Sequence, residues 1–279
     1  MRFLVFLVTG LMHCCSPIPM LNKQAALGGI TFAQDIPYAA GPRNTLDVYA
    51  PPSGSTPVAV VVFLYGGGWE TGEKSMYRFV GAALAAQRFL VMIPDYRLHP
   101  DVQFPAFMED GARAVAWAHA NAGRFGGDPD RMFLIGHSAG AQIATLLALD
   151  PDYLRQTAVH ICGVIGLAGP YDFLPLSRER EAVFGASLNW PKSQPINYVT
   201  ASAPPMLLLT GSSDGVVDPG NVTRLAARLR SAGADVRTDI YPGISHTGII
   251  AAFGDGLTFM APAREATVAF LTAHRACRQ

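Results

Sequence analysis

The chain carries little charge and no excess of either sign. Only 15% of its 279 residues are charged, and 21 basic side chains balance 21 acidic ones. A phosphate-binding surface needs a basic face, so the composition points away from nucleic acid and toward small or apolar ligands. Cysteine is scarce too: there are four, and their spacing fits no metal site. Cys162 lies in a strongly apolar run and reads first as a small buried hydrophobe, while a disulfide to Cys277 stays open for an oxidising compartment. Long hydrophobic runs are absent. The N-terminal run from Phe3 to Met12, behind Arg2, is too short to span a bilayer and suits the core of a signal peptide. Residues 1–20 are therefore expected to be an export leader, with a periplasmic or secreted destination. Leu11-Met12-His13-Cys14 is similar to a bacterial lipoprotein cleavage box except at His13, where that box has a small residue. Membrane anchoring through a lipidated Cys14 is the alternative to a plain leader. Glycine signatures for nucleotides are missing as well, because neither a P-loop nor G-x-G-x-x-G with a following acid occurs. No cofactor and no metal is expected.

What remains, residues 21–279, reads as one α/β domain. Thr45 to Tyr49 alternates like a half-exposed antiparallel edge strand and stops at Pro51-Pro52. Near-continuous apolar runs follow at 58–64, 89–93, 132–135, 159–167 and 206–210, as expected for parallel strands covered on both faces. Helix-like segments at 78–88, 110–120, 139–149 and 221–232 alternate with them, and a strand at 236–241 precedes a helix at 263–274. The alternation predicts a mostly parallel, doubly wound sheet with helices on both faces. Residues 171–205 interrupt it, with Phe173, Phe184, Trp190 and several prolines, and read equally as a short lid or cap and as a cover for the sheet edge.

The densest chemical signal is Gly136-His137-Ser138-Ala139-Gly140, placed between the run Met132 to Ile135 and the helix-like Ala141 to Leu149. In that setting G-x-S-x-G is a nucleophile elbow, with small flanking residues that let the chain turn tightly. A serine hydroxyl is a poor nucleophile at neutral pH and needs a base, which in turn needs an acid to orient it. In this architecture they follow in the order Ser, Asp, His. Of the seven histidines, His13 lies in the leader, His137 inside the elbow, and His99, His119 and His160 precede the strands that should carry the acid and base. His246, in a loop after the last strand, is preferred over His274, which is expected to face solvent from the terminal helix. Asp214, in the turn-rich loop after the run 206–210, is preferred as acid over Asp218, which precedes Pro219 and reads as turn chemistry. Tyr65-Gly66-Gly67-Gly68-Trp69, directly after the run 58–64, offers backbone amides for a developing oxyanion. Trp69, Phe173 and Trp190 are candidate walls of an apolar pocket, weighed against ordinary core packing.

Taken together with Asp95-Tyr96-Arg97-Leu98, Phe125-Gly126-Gly127-Asp128-Pro129 and Ser245-His246, these motifs resemble the α/β-hydrolase carboxylesterases, in particular the hormone-sensitive-lipase-type, feruloyl-esterase-like and prenylcysteine-methylesterase-like group. The resemblance covers residues 45–271. It implies Ser138 as nucleophile, Asp214 as acid and His246 as base, with the amides of Gly67, Gly68 and Ala139 as oxyanion hole. It also implies loop-bracing roles for Asp95, Arg97 and Asp110. Tyr65 stands where many hormone-sensitive-lipase-type relatives have histidine, and YGGGW is similar to the prenylcysteine-methylesterase-like branch. The expected activity is hydrolysis of small to medium carboxylic esters through an acyl-enzyme. The alternatives are an amide hydrolase of arylformamidase or peptidase type on the same triad, and a non-catalytic ligand-binding protein on the same fold.

Overall fold

The computed structural model of the chain describes residues 18–277, apart from 53 and 55. Most of the expected leader, with Cys14, lies outside the described residues. Eight strands form one sheet in the order β1-β2-β4-β3-β5-β6-β7-β8. They are β1 (Thr31–Pro37), β2 (Thr45–Ala50), β3 (Val58–Leu64), β4 (Leu90–Pro94), β5 (Gly127–His137), β6 (Ile161–Leu167), β7 (Met206–Gly211) and β8 (Val236–Tyr241). The helices are α1 (Ile18–Gln24), α2 (Arg78–Ala86), α3 (Ala106–Asn121), α4 (Ala139–Leu149), α5 (Arg178–Phe184), α6 (Gly220–Ser231), α7 (His246–Ala251) and α8 (Ala263–Ala273).

Only β2 runs against the rest: it pairs antiparallel with β1 and β4, and every pair from β4 to β8 is parallel. β4, β6 and β7 are buried residue after residue, which explains their unbroken apolar sequences. The chain runs from β3 outward to β4 and then returns to place β5 on the other side of β3. That reversal opens a crevice at the carboxyl ends of β3 and β5, where open α/β sheets hold their ligands.

Several elements depart from the sequence-based expectation. β2 is not an edge strand, because β1 covers it, and its one polar inward residue, Asp47, is buried against the Lys74 ammonium at 3.2 Å. β1 itself was hidden in a polar stretch, since a register shift between Ala33 and Ile36, with Asp35 at φ 58°, destroys any period of two. β5 begins at Gly127, five residues before its apolar run. Helix α1 straddles residue 20, the expected end of the leader, and buries Ile18 and Leu21. His274 is half-buried: its Nδ1 lies 2.9 Å from the Phe270 carbonyl and its Nε2 3.6 Å from Asp235.

Cys162 is not a free hydrophobe. It is bonded to Cys277, joining β6 to the chain beyond α8 across a sequence separation of 115. A cross-link over so long a stretch mainly restricts the unfolded chain. Replacing Cys162 and Cys277 by alanine should lower the unfolding free energy by about 2–5 kcal/mol. Urea titrations of the variant and of the oxidised parent would measure the difference.

Candidate active site

The elbow follows from close backbone approach. A Cβ on Gly136 would lie 2.2 Å from the Gly140 carbonyl oxygen, and one on Gly140 would lie 2.0 Å from that of Leu64. Only glycine fits either place. Between them Ser138 takes φ 54° and ψ −123°, a left-handed conformation that costs a non-glycine residue about 1–3 kcal/mol and persists only where the surroundings enforce it. Its N–H donates to the Leu167 carbonyl at 2.8 Å, tying the turn to the end of β6.

The structure brings Ser138, His246 and Asp214 into one hydrogen-bonded chain. His246 Nε2 lies 2.9 Å from Ser138 Oγ, and His246 Nδ1 lies 2.8 Å from Asp214 Oδ2. An ionised carboxylate can only accept, so Nδ1 carries the proton and Nε2 is left to accept from the serine hydroxyl. His246 is the first residue of α7, whose N-terminus is capped by Ser245 Oγ accepting from the Gly248 N–H. Asp214 follows β7 and serves the turn as well as the histidine: its Oδ1 accepts from the Val216 and Val217 amides, both at 2.9 Å. Burial pushes this carboxyl up, but the hydrogen bonds from His246 and those two amides outweigh it and hold the pKa below the usual carboxylate value. Asp218 stays out of the chain; it accepts from the Gly220 N–H and pairs with Arg224, as turn chemistry predicts.

The glycine loop leaves β3 beside the elbow. Gly67 (φ 139°) turns its carbonyl back to accept from the Glu70 and Thr71 amides, and Gly68 and Trp69 both take φ 64°. Gly67, Gly68 and Ala139 line the same cleft of about 860 Å³ as Ser138 and His246. Ala139 opens α4, so its N–H has no acceptor within the helix. Tyr65 anchors the loop from behind: its hydroxyl donates to Asp95 Oδ1 at 2.8 Å and accepts from Arg43. Arg97 closes on Asp110 through a two-pronged ion pair, with Nε to Oδ2 at 2.9 Å and Nη2 to Oδ1 at 3.0 Å.

Trp69 and Phe173 line the cleft, stacked with centroids 5.9 Å apart. Trp190 does not. Its indole donates to the Gly185 carbonyl at 3.0 Å, so it braces residues 171–205 from within. Three further contributors were not singled out from sequence. Gln142 on α4 accepts from the Trp69 indole, Arg180 lies over the Trp69 ring, and His137, fully buried inside the elbow, has Nε2 at 3.2 Å from the His246 carbonyl. The G-x-S-x-G pattern drew attention to position 137 without assigning it a contact. Among the described residues, no group of three or more His, Cys, Asp or Glu side chains is arranged to hold a metal ion.

The BD-FAE family model matches residues 46–229. Over 242 residues the chain is 27% identical to a probable isoprenylcysteine alpha-carbonyl methylesterase of Arabidopsis thaliana, covering 77% of this chain and 51% of that protein. Over 233 residues it is 30% identical to the esterase LipC of Mycobacterium tuberculosis, covering 75% and 58%. The chain thus spans little more than half the length of these relatives. Among solved structures, esterase B from Lactobacillus rhamnosis, inhibited by a tributyrin phosphonate, superposes with a TM-score of 0.81 at 19% identity, over 94% of this chain and 92% of that one. A truncated carbohydrate esterase from gut microbiota gives 0.77 at 22% identity, over 88% and 96%. At these identities the structural likeness speaks to the fold. With its sheet order, its elbow at the switch point and a family match running from β2 into α6, the chain belongs to the BD-FAE family and has the α/β-hydrolase fold.

Proposed function

We propose that the chain is a serine-dependent carboxylic ester hydrolase. The observation that carries this reading is the hydrogen-bonded run Asp214–His246–Ser138, with links of 2.8 and 2.9 Å, at the switch point of the sheet. The relatives are named as esterases, and a solved structural neighbour is named as an esterase inhibited by a phosphonate.

In this mechanism His246 Nε2 takes the Ser138 proton as Oγ attacks the ester carbonyl, and Asp214 stabilises the imidazolium. The amides of Gly67, Gly68 and Ala139 receive the oxyanion, and the proton passes to the departing alcohol. Water then attacks the acyl-enzyme with His246 again as base. The substrate class is a small to medium ester: the cleft is about 860 Å³, with Trp69 and Phe173 as apolar walls and the Glu70, Arg180, Asp172 and Arg224 side chains as a polar rim. Export fits the Cys162–Cys277 bond, which persists in oxidising compartments, together with the apolar leader.

His137 supports the base in its neutral form. Because a carbonyl can only accept, His137 Nε2 is protonated, and Nδ1 is left buried without a hydrogen-bond partner. Burial, with the neighbouring His246 charge, pushes its pKa down to about 3, so it remains neutral when its neighbour becomes an imidazolium.

On short-chain nitrophenyl esters, Ser138→Ala should lose activity by roughly 10⁵-fold or more and Asp214→Asn by roughly 10⁴-fold, with both variants still folded. Activity surviving in Ser138→Ala would overturn the assignment. Expressed with its leader in a bacterial host, the protein should be found outside the cytoplasm with Cys162 and Cys277 oxidised; cytoplasmic protein with free thiols would refute export. His137 also gives stability a pH dependence. Its folded pKa is depressed below the unfolded value, so protons bind preferentially to the unfolded chain, and stability present at neutral pH is lost as pH falls from about 6.5 toward about 3. The loss from this group should be about 1.4 kcal/mol per pH unit. Urea titrations at pH 7 and pH 5 should show a smaller fall in a His137→Asn variant.

A further inference from the structure

We propose that Arg180, on the helix inside the 171–205 insertion, is a positioning residue that holds the glycine loop in the shape an oxyanion requires. The proposal rests on the esterase reading above and gives the insertion a task other than covering the substrate.

Arg180 Nη1 donates to the Gly68 carbonyl at 2.7 Å and to Glu70 Oε2 at 3.1 Å, while the guanidinium lies 5.3 Å from the centre of the Trp69 ring. One side chain therefore contacts three consecutive residues of the loop. The approach depends on glycine, since a Cβ at position 68 would come within 2.9 Å of Nη1.

Planarity of the peptide unit gives these contacts their consequence. The Gly67 carbonyl and the Gly68 N–H share one plane, and the amides of Glu70 and Thr71 hold that carbonyl, which turns the Gly68 N–H the opposite way. The next plane, joining Gly68 to Trp69, is held by Arg180 through the Gly68 carbonyl. Both residues sit at φ 64°, a conformation that Trp69 would leave if it were unrestrained. A bond from a cation to a carbonyl is among the stronger hydrogen bonds a protein can use for such a purpose.

Arg180 is itself placed by the body of the domain. Val183 and Ala182 of α5 accept through their carbonyls from the Phe104 N–H and the Gln103 amide, and Phe184 packs edge-on against Trp69 with centroids 4.9 Å apart. Any outward movement of α5 would withdraw Arg180 from the loop, so the insertion and the oxyanion amides are mechanically linked.

The test uses Arg180→Met, which keeps an unbranched stem over Trp69 but removes every donor, with Arg180→Lys as partial restoration and exposed Arg178→Ala as neighbouring control. Kinetics on a short-chain nitrophenyl ester are measured alongside inhibition by a trifluoromethyl ketone, which forms a tetrahedral adduct with an active serine. For Arg180→Met, kcat should fall roughly tenfold to a hundredfold and the ketone should weaken in parallel, while KM changes by less than about threefold. Arg180→Lys should recover part of both losses, Arg178→Ala should match the parent, and the unfolding midpoint of Arg180→Met should stay within a few degrees of the parent's. An Arg180→Met variant with parental kcat and ketone affinity overturns the proposal, as does a loss confined to KM, which would make Arg180 a substrate contact. Hydrolysis persisting in Ser138→Ala removes the esterase reading and this proposal with it, a result distinct from an Arg180→Met variant that works normally beside an inactive Ser138→Ala.

Discussion

The parallel pairing of β3 with β5 is the constraint on which the site depends. Its register sets Leu64 opposite Gly136, so the glycine loop and the serine elbow leave the sheet from neighbouring strand ends. They approach so closely that no side chain fits at Gly140. From there the strand order β5-β6-β7 places Asp214 two strand spacings from Ser138. That is about 10 Å, a gap that one imidazole with a hydrogen bond at each end can bridge. β6 contributes only a carbonyl, Leu167, to which the elbow is tied.

Strain and bracing are matched around this point. Ser138 and Trp69 occupy left-handed conformations, and both lie in loops held by several independent contacts. Asp95 receives Tyr65 at the root of the glycine loop as well as the Lys74 amide, and buried Asp110 receives Arg97 and Arg113. Burial alone would raise the Asp110 carboxyl, but its arginine partners and the Arg97 amide hold it below the usual value. These pairs lie outside the Asp214–His246–Ser138 run and brace the loops that frame the cleft.

Legibility in the sequence followed burial. The strands covered on both faces were plain, because double burial demands near-continuous apolar residues. β1 leaves no period of two in the sequence because it is an exposed, bulged edge, and β2 reads as an edge because Asp47, polar in the sequence, gains its Lys74 partner only once the chain is folded. Trp190 shows the limit for aromatic residues: a tryptophan that lines a cleft and one that braces its own segment have the same local sequence signature. Arg180 had no signature, because its partners lie 110 to 112 residues away in the chain.

The sequence by itself determined the chemical groups and their order: a serine between small residues, an aspartate and a histidine after later strands, and a glycine run after an earlier one. Those are local facts, set by turn geometry and strand composition. Only the tertiary structure decided which strands are neighbours, that His246 reaches Ser138 on one side and Asp214 on the other at hydrogen-bond distance, that two distant cysteines join, and that an arginine of the insertion grips the glycine loop. Such contacts depend on strand order and register, which arise from packing the whole sheet and leave no mark on any one segment.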